Sequence, residues 1–128
     1  MLTVTPIYLA IAAALYSIMA FTVIGNRRRR RLSIGDGDQP DFVRIVRGHA
    51  NFAEYAPITL LAIGIAELTG VPAAILHLCG ALLIVGRAMH AYCFLFTTEG
   101  MKLRVGGMVL TFFSLWIAAA AGAIYAIT

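Results

Sequence analysis

Four long apolar segments limit this chain to a helical membrane protein. They cover approximately residues 3–24, 41–69, 73–96 and 105–127, and a helix needs about 20 residues to cross the apolar core of a bilayer. Only 12% of the residues are charged, which is about half the share typical of a soluble domain. We therefore predict an all-α fold, an integral membrane four-helix bundle that forms a single domain over residues 1–128.

The connections between the segments predict which helices are neighbours. Gly70, Val71 and Pro72 form a short turn, so the second and third segments should run antiparallel and side by side. Asp41 follows Pro40 at the start of the second segment and is a candidate cap for that helix. The first segment is interpreted as a true span and not as a signal peptide, because no basic residue precedes it.

Basic residues are concentrated in the first and third connections. Five of the ten form the run Arg27–Arg31, Arg44 and Arg47 follow soon after, and Lys102 and Arg104 lie beyond the third segment. Cytoplasmic loops are rich in Lys and Arg, so we predict a multi-pass protein with both chain ends away from the cytoplasm. The arginine run directly follows an apolar segment, so we interpret it as a topological anchor and predict no nucleic-acid binding.

The cysteines and the loop aspartates do not predict a metal site. Cys79 and Cys93 lie in one predicted helix, about 21 Å apart along its axis, and cannot form a disulfide within one chain. They are interpreted as small packing residues. Asp36 and Asp38 flank a glycine, but the later ligands of a calcium-binding loop are absent.

One face of the second segment is polar near its start. Arg44, Arg47, Asn51 and Glu54 recur at spacings of three, four and three residues. Together with Tyr55 they fall within an arc of about 100° on an α-helix. A charge inside a bilayer is costly, so such residues normally pair with each other, line a wet cavity or bind a ligand.

Two interpretations of this polar face remain open. Arg87 and His90 lie one turn apart in the third segment, at a similar depth to the polar face of the second. In the first interpretation, Glu54 forms a salt bridge with Arg47 or Arg87 that holds the helices together. In the second, the excess of basic residues over the one acid binds an anionic ligand. Arginines hold carboxylates well and a glutamate can receive an ammonium, so a ligand with carboxylates and one amine fits.

The stretch Arg47-Gly-His-Ala-Asn51-Phe-Ala-Glu54-Tyr55-Ala-Pro57 resembles the MAPEG family, the membrane-associated proteins in eicosanoid and glutathione metabolism. The family signature has an arginine, an asparagine four residues later, a glutamate three further on, then an aromatic residue and a proline, and all five are present. Arg87-Ala-Met-His90-Ala-Tyr is also similar to the Gly-Arg-x-x-His-Ala stretch of bacterial members. The resemblance extends over essentially the whole chain.

The resemblance implies a homotrimer that binds glutathione between adjacent protomers at the cytoplasmic side. Arg47, Asn51, Glu54 and Tyr55 would contact glutathione, with Glu54 receiving its α-amino group and arginines holding its carboxylates. His90 stands where eicosanoid-type members carry a tyrosine, which disfavours a leukotriene-synthase-like activity. The other candidate contacts are Arg44 and Arg87.

An arginine at the start of the fourth span activates the glutathione thiol in several members of the family. Arg104 is the candidate for this catalytic role, and Lys102 is its rival. The implied activity is that of a glutathione-dependent transferase or peroxidase in the bacterial inner membrane. Its partners would be a lipophilic electrophile or lipid peroxide, delivered from the surrounding membrane lipid.

Two other functions remain possible at this point. One is a non-catalytic membrane protein that binds glutathione or another anionic ligand. The other is a small multi-span transporter, which would need an acid on a pathway open to both sides. Glu54 is matched by arginines and lies near one side, so the sequence disfavours the transporter.

Overall fold

The computed structural model describes residues 1–97 and 100–128 and has four α-helices. These are α1 (Thr5–Arg30), α2 (Pro40–Leu68), α3 (Ala73–Phe96) and α4 (Met101–Ile127). By length and composition α1, α3 and α4 could each cross a membrane, whereas α2 begins with several charged turns before its apolar part. The predicted all-α membrane bundle is confirmed.

The two central helices of the bundle are α2 and α3. They pack against each other, and α1 and α4 each pack against both of them, with the most extensive contact between α3 and α4. The short turn at Thr69–Pro72 makes α2 and α3 antiparallel, as predicted. Consequently α1 and α3 end, and α2 and α4 begin, at one end of the molecule, which we call the basic end because it carries the arginine run Arg27–Arg31.

Helix α1 continues through most of the arginine run, beyond the apolar segment that ends near residue 24. Arginine is a good helix former, and basic side chains are favourable near the negative end of the helix dipole. Arg31 then ends the helix in a left-handed conformation, with its N–H bonded to the carbonyls of Arg27 and Arg28. The predicted apolar span therefore gave only the minimum length of helix α1.

Asp41 does not cap α2, so that prediction is wrong. Gln39 occupies the capping position, but its side chain accepts a hydrogen bond from Arg30 and does not cap the helix, and Pro40 is the first helical residue. The Asp41 carboxylate instead forms an ion pair with Arg30, whose guanidinium also lies 5.2 Å from the centre of the Phe42 ring. These contacts join the end of α1 to the start of α2.

The start of α1 is capped by a residue from another helix. Glu67, in the last turn of α2, accepts hydrogen bonds from the backbone N–H groups of Thr3, Val4 and Thr5, the last two at 2.7 Å. Helix α1 has no side-chain cap of its own. The first N–H groups of a helix lack partners within the helix, so Glu67 supplies partners that the local sequence does not.

Glu67→Gln should destabilise the protein by about 1–2 kcal/mol, the usual cost of losing a helix cap. The amide keeps one acceptor oxygen but loses the charge that favours the positive end of the α1 dipole. Chemical unfolding in detergent would measure the change. Glu54→Gln is the matched control, because Glu54 lies on the same helix and accepts no hydrogen bond from the described residues. Equal stability of the two variants would contradict the capping role.

Candidate functional site

A cavity of about 630 Å³ opens at the basic end between α2, α3 and α4. Its polar lining comes from all three helices and comprises Arg44, Arg47, Asn51, His90 and Arg104. The part of the wall contributed by the following turns of α4 is apolar and comprises Val105, Met108, Val109 and Phe112. The cavity thus combines a cationic mouth with an apolar wall.

The cavity has a strong excess of positive charge. Three guanidiniums line it, and no carboxylate does among the residues that the structure describes. Within residues 1–97 and 100–128 the only ion pair is Arg30–Asp41. Neither of the salt bridges considered for Glu54, with Arg47 or with Arg87, is present. The arginines are therefore available to an anion, and this arrangement favours the ligand interpretation of the polar face.

Arg87 is fully buried and does not line the cavity. Its Nε donates to Thr111 Oγ1 at 2.9 Å and its Nη1 donates to Asn51 Oδ1 at 2.9 Å. Its Nη2 faces Met108 Sδ at 3.1 Å and the Gly107 carbonyl at 3.4 Å. Arg87 therefore joins α2, α3 and α4 from the interior, and its contact with the site runs through Asn51.

Close packing of α3 on α4 places Arg87 there. A Cβ on Gly86 would lie 2.7 Å from the Gly107 carbonyl oxygen, and a Cβ on Gly107 would lie 2.5 Å from the Gly86 carbonyl oxygen. The two backbones are thus in direct contact. A side chain at either position would separate the helices and withdraw Thr111 and Met108 from the Arg87 guanidinium.

Glu54 and Tyr55 continue the polar face of α2 below Asn51 but do not line the cavity. Glu54 is exposed. Tyr55 is half-buried, with its ring edge-on to Phe112 at 5.5 Å between centroids. The single chain therefore assembles five of the eight predicted site residues around the cavity, namely Arg44, Arg47, Asn51, His90 and Arg104.

An aromatic stack at the cavity holds the candidate catalytic arginine. The His90 ring stacks on Phe94 at 4.7 Å, and the Arg104 guanidinium lies 4.7 Å from the centre of the Phe94 ring. Gly48 makes room for Phe94, because a Cβ there would lie 2.5 Å from the Phe94 Cβ. Lys102 is exposed and does not line the cavity, so the geometry favours Arg104 over its rival.

The contributions of Phe94 and Gly48 were missed by sequence reasoning. Phe94 follows His90 by four residues and therefore lies on the same face of α3, which was a usable signal. Gly48 lies inside the Arg47–Asn51 stretch. The need for a glycine at this position is explained only by the residue that faces it, Phe94. That facing residue comes from another helix and is not readable from spacing.

Comparisons with known proteins agree with this architecture. The model of the MAPEG family matches residues 5–124 of the chain. The inner membrane protein YecN of Escherichia coli K12 is 33% identical over 91 residues, which are 71% of this chain and 70% of YecN. YecN of Escherichia coli O6:H1 strain CFT073 matches to the same extent. The family match, the inner-membrane relatives and the helical bundle lead to one conclusion: this chain belongs to the MAPEG family and is a bacterial inner-membrane protein.

Proposed function

We propose that this protein is a glutathione-dependent transferase or peroxidase that acts on lipophilic electrophiles or lipid peroxides. The observation that carries the proposal is the cavity lined by Arg44, Arg47 and Arg104 without a carboxylate from the described residues. Glutathione is a tripeptide with two carboxylates, and bidentate arginine pairing suits such a ligand. A volume of about 630 Å³ lies within the usual range of small-molecule sites.

Arg104 is proposed to activate the thiol. The thiolate, not the thiol, is the nucleophile, and a nearby cation lowers the pKa of a thiol. In conjugation, the thiolate sulfur forms a bond to the electrophilic carbon, while the leaving group departs with the bonding electrons. The Arg104 guanidinium would stay charged throughout, because arginine is not deprotonated in proteins. It would thus act as an electrostatic stabiliser and not as a base.

The apolar wall of α4 suggests how the second substrate arrives. Val105 and Val109 are exposed on the protomer and lie beside the arginines at the cavity. Further along α4, Phe113 and Trp116 are 50% and 60% exposed, so the apolar surface continues along the helix. A lipophilic electrophile dissolved in the bilayer could reach the sulfur along this surface, while glutathione enters from the aqueous side.

The site is proposed to be completed by a second copy of the chain in a homotrimer. Glu54 is exposed and has no ion-pair partner among residues 1–97 and 100–128, although a charge on the membrane-facing surface is costly. A glutathione bound between protomers would place its α-amino group where Glu54 could receive it. The positive-inside rule further supports placing the basic end at the cytoplasmic face, with both chain ends on the other side.

Arg47→Ala should weaken glutathione binding by about 10- to 100-fold, the equivalent of one charge-assisted hydrogen bond of about 1.5–3 kcal/mol. Isothermal titration of glutathione into the detergent-purified protein would measure the affinity. Arg29→Ala is the matched control, because Arg29 is also exposed at the basic end but does not line the cavity.

The same titration decides between the candidate functions. Wild-type protein that shows no binding up to millimolar glutathione would contradict the proposal. Equal losses of glutathione affinity in Arg47→Ala and Arg29→Ala would contradict it as well. Binding without turnover of a chloronitrobenzene electrophile would favour the non-catalytic alternative, in which the cavity only holds the thiol.

A further inference from the structure

We propose that Arg87 is a positioning residue that fixes the Asn51 side chain with its NH2 group towards the cavity. Position 51 then acts as a hydrogen-bond donor that selects a carboxylate or carbonyl oxygen of the bound ligand. The inference rests on the proposed function, since it assigns the role of two residues in the same glutathione site. It replaces the expectation that Arg87 contacts glutathione directly.

The orientation of Asn51 follows from the chemistry of its partner. A guanidinium can only donate hydrogen bonds, whereas an asparagine amide carries an acceptor oxygen on one side and a donor NH2 on the other. The Arg87 Nη1 lies 2.9 Å from the Asn51 oxygen. The opposite orientation would set donor against donor in a buried place, where an unmet hydrogen bond costs about 1–3 kcal/mol. Arg87 therefore excludes that orientation.

Arg87 is itself held too firmly to turn away. Its side chain has no exposed surface, and it contacts three neighbouring residues on one face of α4, namely Gly107, Met108 and Thr111. The Thr111 hydroxyl donates to the Gly107 carbonyl at 2.8 Å, so its lone pairs face the Arg87 Nε. A planar guanidinium bound on several edges has one orientation.

The Asn51 NH2 group has no acceptor within the described part of the chain. Asn51 lines the cavity beside Arg44 and Arg47, and its nitrogen is not among the buried polar atoms that lack a partner. The nitrogen is therefore accessible from the cavity. Because Arg44 and Arg47 line the same cavity, the NH2 group would add a neutral directional donor to the cations that hold an anion there.

Asn51→Asp separates the donor role of position 51, which Arg87 imposes, from a merely structural role. The substitution replaces the NH2 donor with a carboxylate oxygen and keeps an acceptor for Arg87. The charge-assisted contact with a buried guanidinium should keep the unfolding temperature equal to or above that of the wild type. Glutathione affinity should nevertheless fall by more than 100-fold, because a donor is lost and a negative charge faces the ligand carboxylates. If Asn51 had only a structural role, glutathione affinity would fall only in variants whose unfolding temperature also falls.

Asn51→Ala is the comparison variant, measured by the same thermal unfolding and glutathione titration. It should lower the unfolding temperature, because Arg87 loses its acceptor, and it should weaken binding by about 10- to 100-fold. Asn51→Asp protein that binds as tightly as wild type, or that is less stable than Asn51→Ala, would overturn the inference alone. Wild-type protein that fails to bind glutathione would overturn the proposed function and the inference with it.

Discussion

Arg104→Ala should remove most of the ultraviolet thiolate absorbance of bound glutathione and lower turnover by about 10- to 100-fold. Much of the glutathione affinity should remain, because Arg44 and Arg47 still line the cavity. The size of the effect follows from one charge-assisted interaction of about 1.5–3 kcal/mol, given that a shift of one pKa unit corresponds to about 1.4 kcal/mol. A difference spectrum with and without glutathione, together with the rate of conjugation, would measure both quantities.

The side chain of Arg104 is suited to this role because Phe94 restrains it. A guanidinium that lies 4.7 Å from the centre of an aromatic ring gains a cation–π contribution and loses part of its rotational freedom. The same Phe94 ring also stacks with His90, which is buried and lines the same cavity. The positive charge is therefore available at the cavity before the thiol arrives, as preorganised electrostatic stabilisation requires.

Lys102→Ala is the matched control for Arg104→Ala. Both residues are basic and exposed in the first turns of α4, but only Arg104 lines the cavity. Arg104→Lys should recover part of the absorbance, because it restores the charge without the planar group that stacks on Phe94. A larger loss of turnover in Lys102→Ala than in Arg104→Ala would assign activation of the thiol to Lys102.

The number of helices and the polar face of α2 could be predicted because each depends on a local pattern. The apolar segments predicted the number of helices. The spacing of Arg44, Arg47 and Asn51 predicted that they share one side of α2, and all three line the cavity. The antiparallel arrangement of α2 and α3 followed from a turn of a few residues. None of these predictions required knowing which helix faces which.

The roles of individual residues were harder to predict, because they depend on contacts between helices. Arg87 and His90 are one turn apart, yet His90 lines the cavity while Arg87 is buried against α4. That difference is set by the contact of Gly86 with Gly107, which draws one face of α3 onto α4. Glu67 likewise acts on the start of α1, 62 residues away in sequence.

Gly107→Ala should strongly destabilise the protein. The new Cβ would lie 2.5 Å from the Gly86 carbonyl oxygen and 3.1 Å from both the backbone nitrogen and the Cβ of His90. These are mostly backbone atoms of a packed helix and cannot turn aside, so α3 and α4 must separate. Overpacking usually costs about 1–3 kcal/mol, and more where nothing can move. We expect the unfolding temperature in detergent to fall by about 10 °C.

Gly106→Ala isolates this steric effect from the helix propensity of alanine. Both substitutions favour the helical backbone by up to about 1 kcal/mol, but a Cβ on Gly106 meets only Met89 Cε, at 3.2 Å. That atom is the end of a flexible side chain, so Gly106→Ala should be neutral or stabilising. Gly107→Ala should also weaken glutathione binding, because the separation of α3 from α4 withdraws Thr111 and Met108 from Arg87 and releases Asn51. Similar unfolding temperatures for the two variants would contradict the close contact between the α3 and α4 backbones.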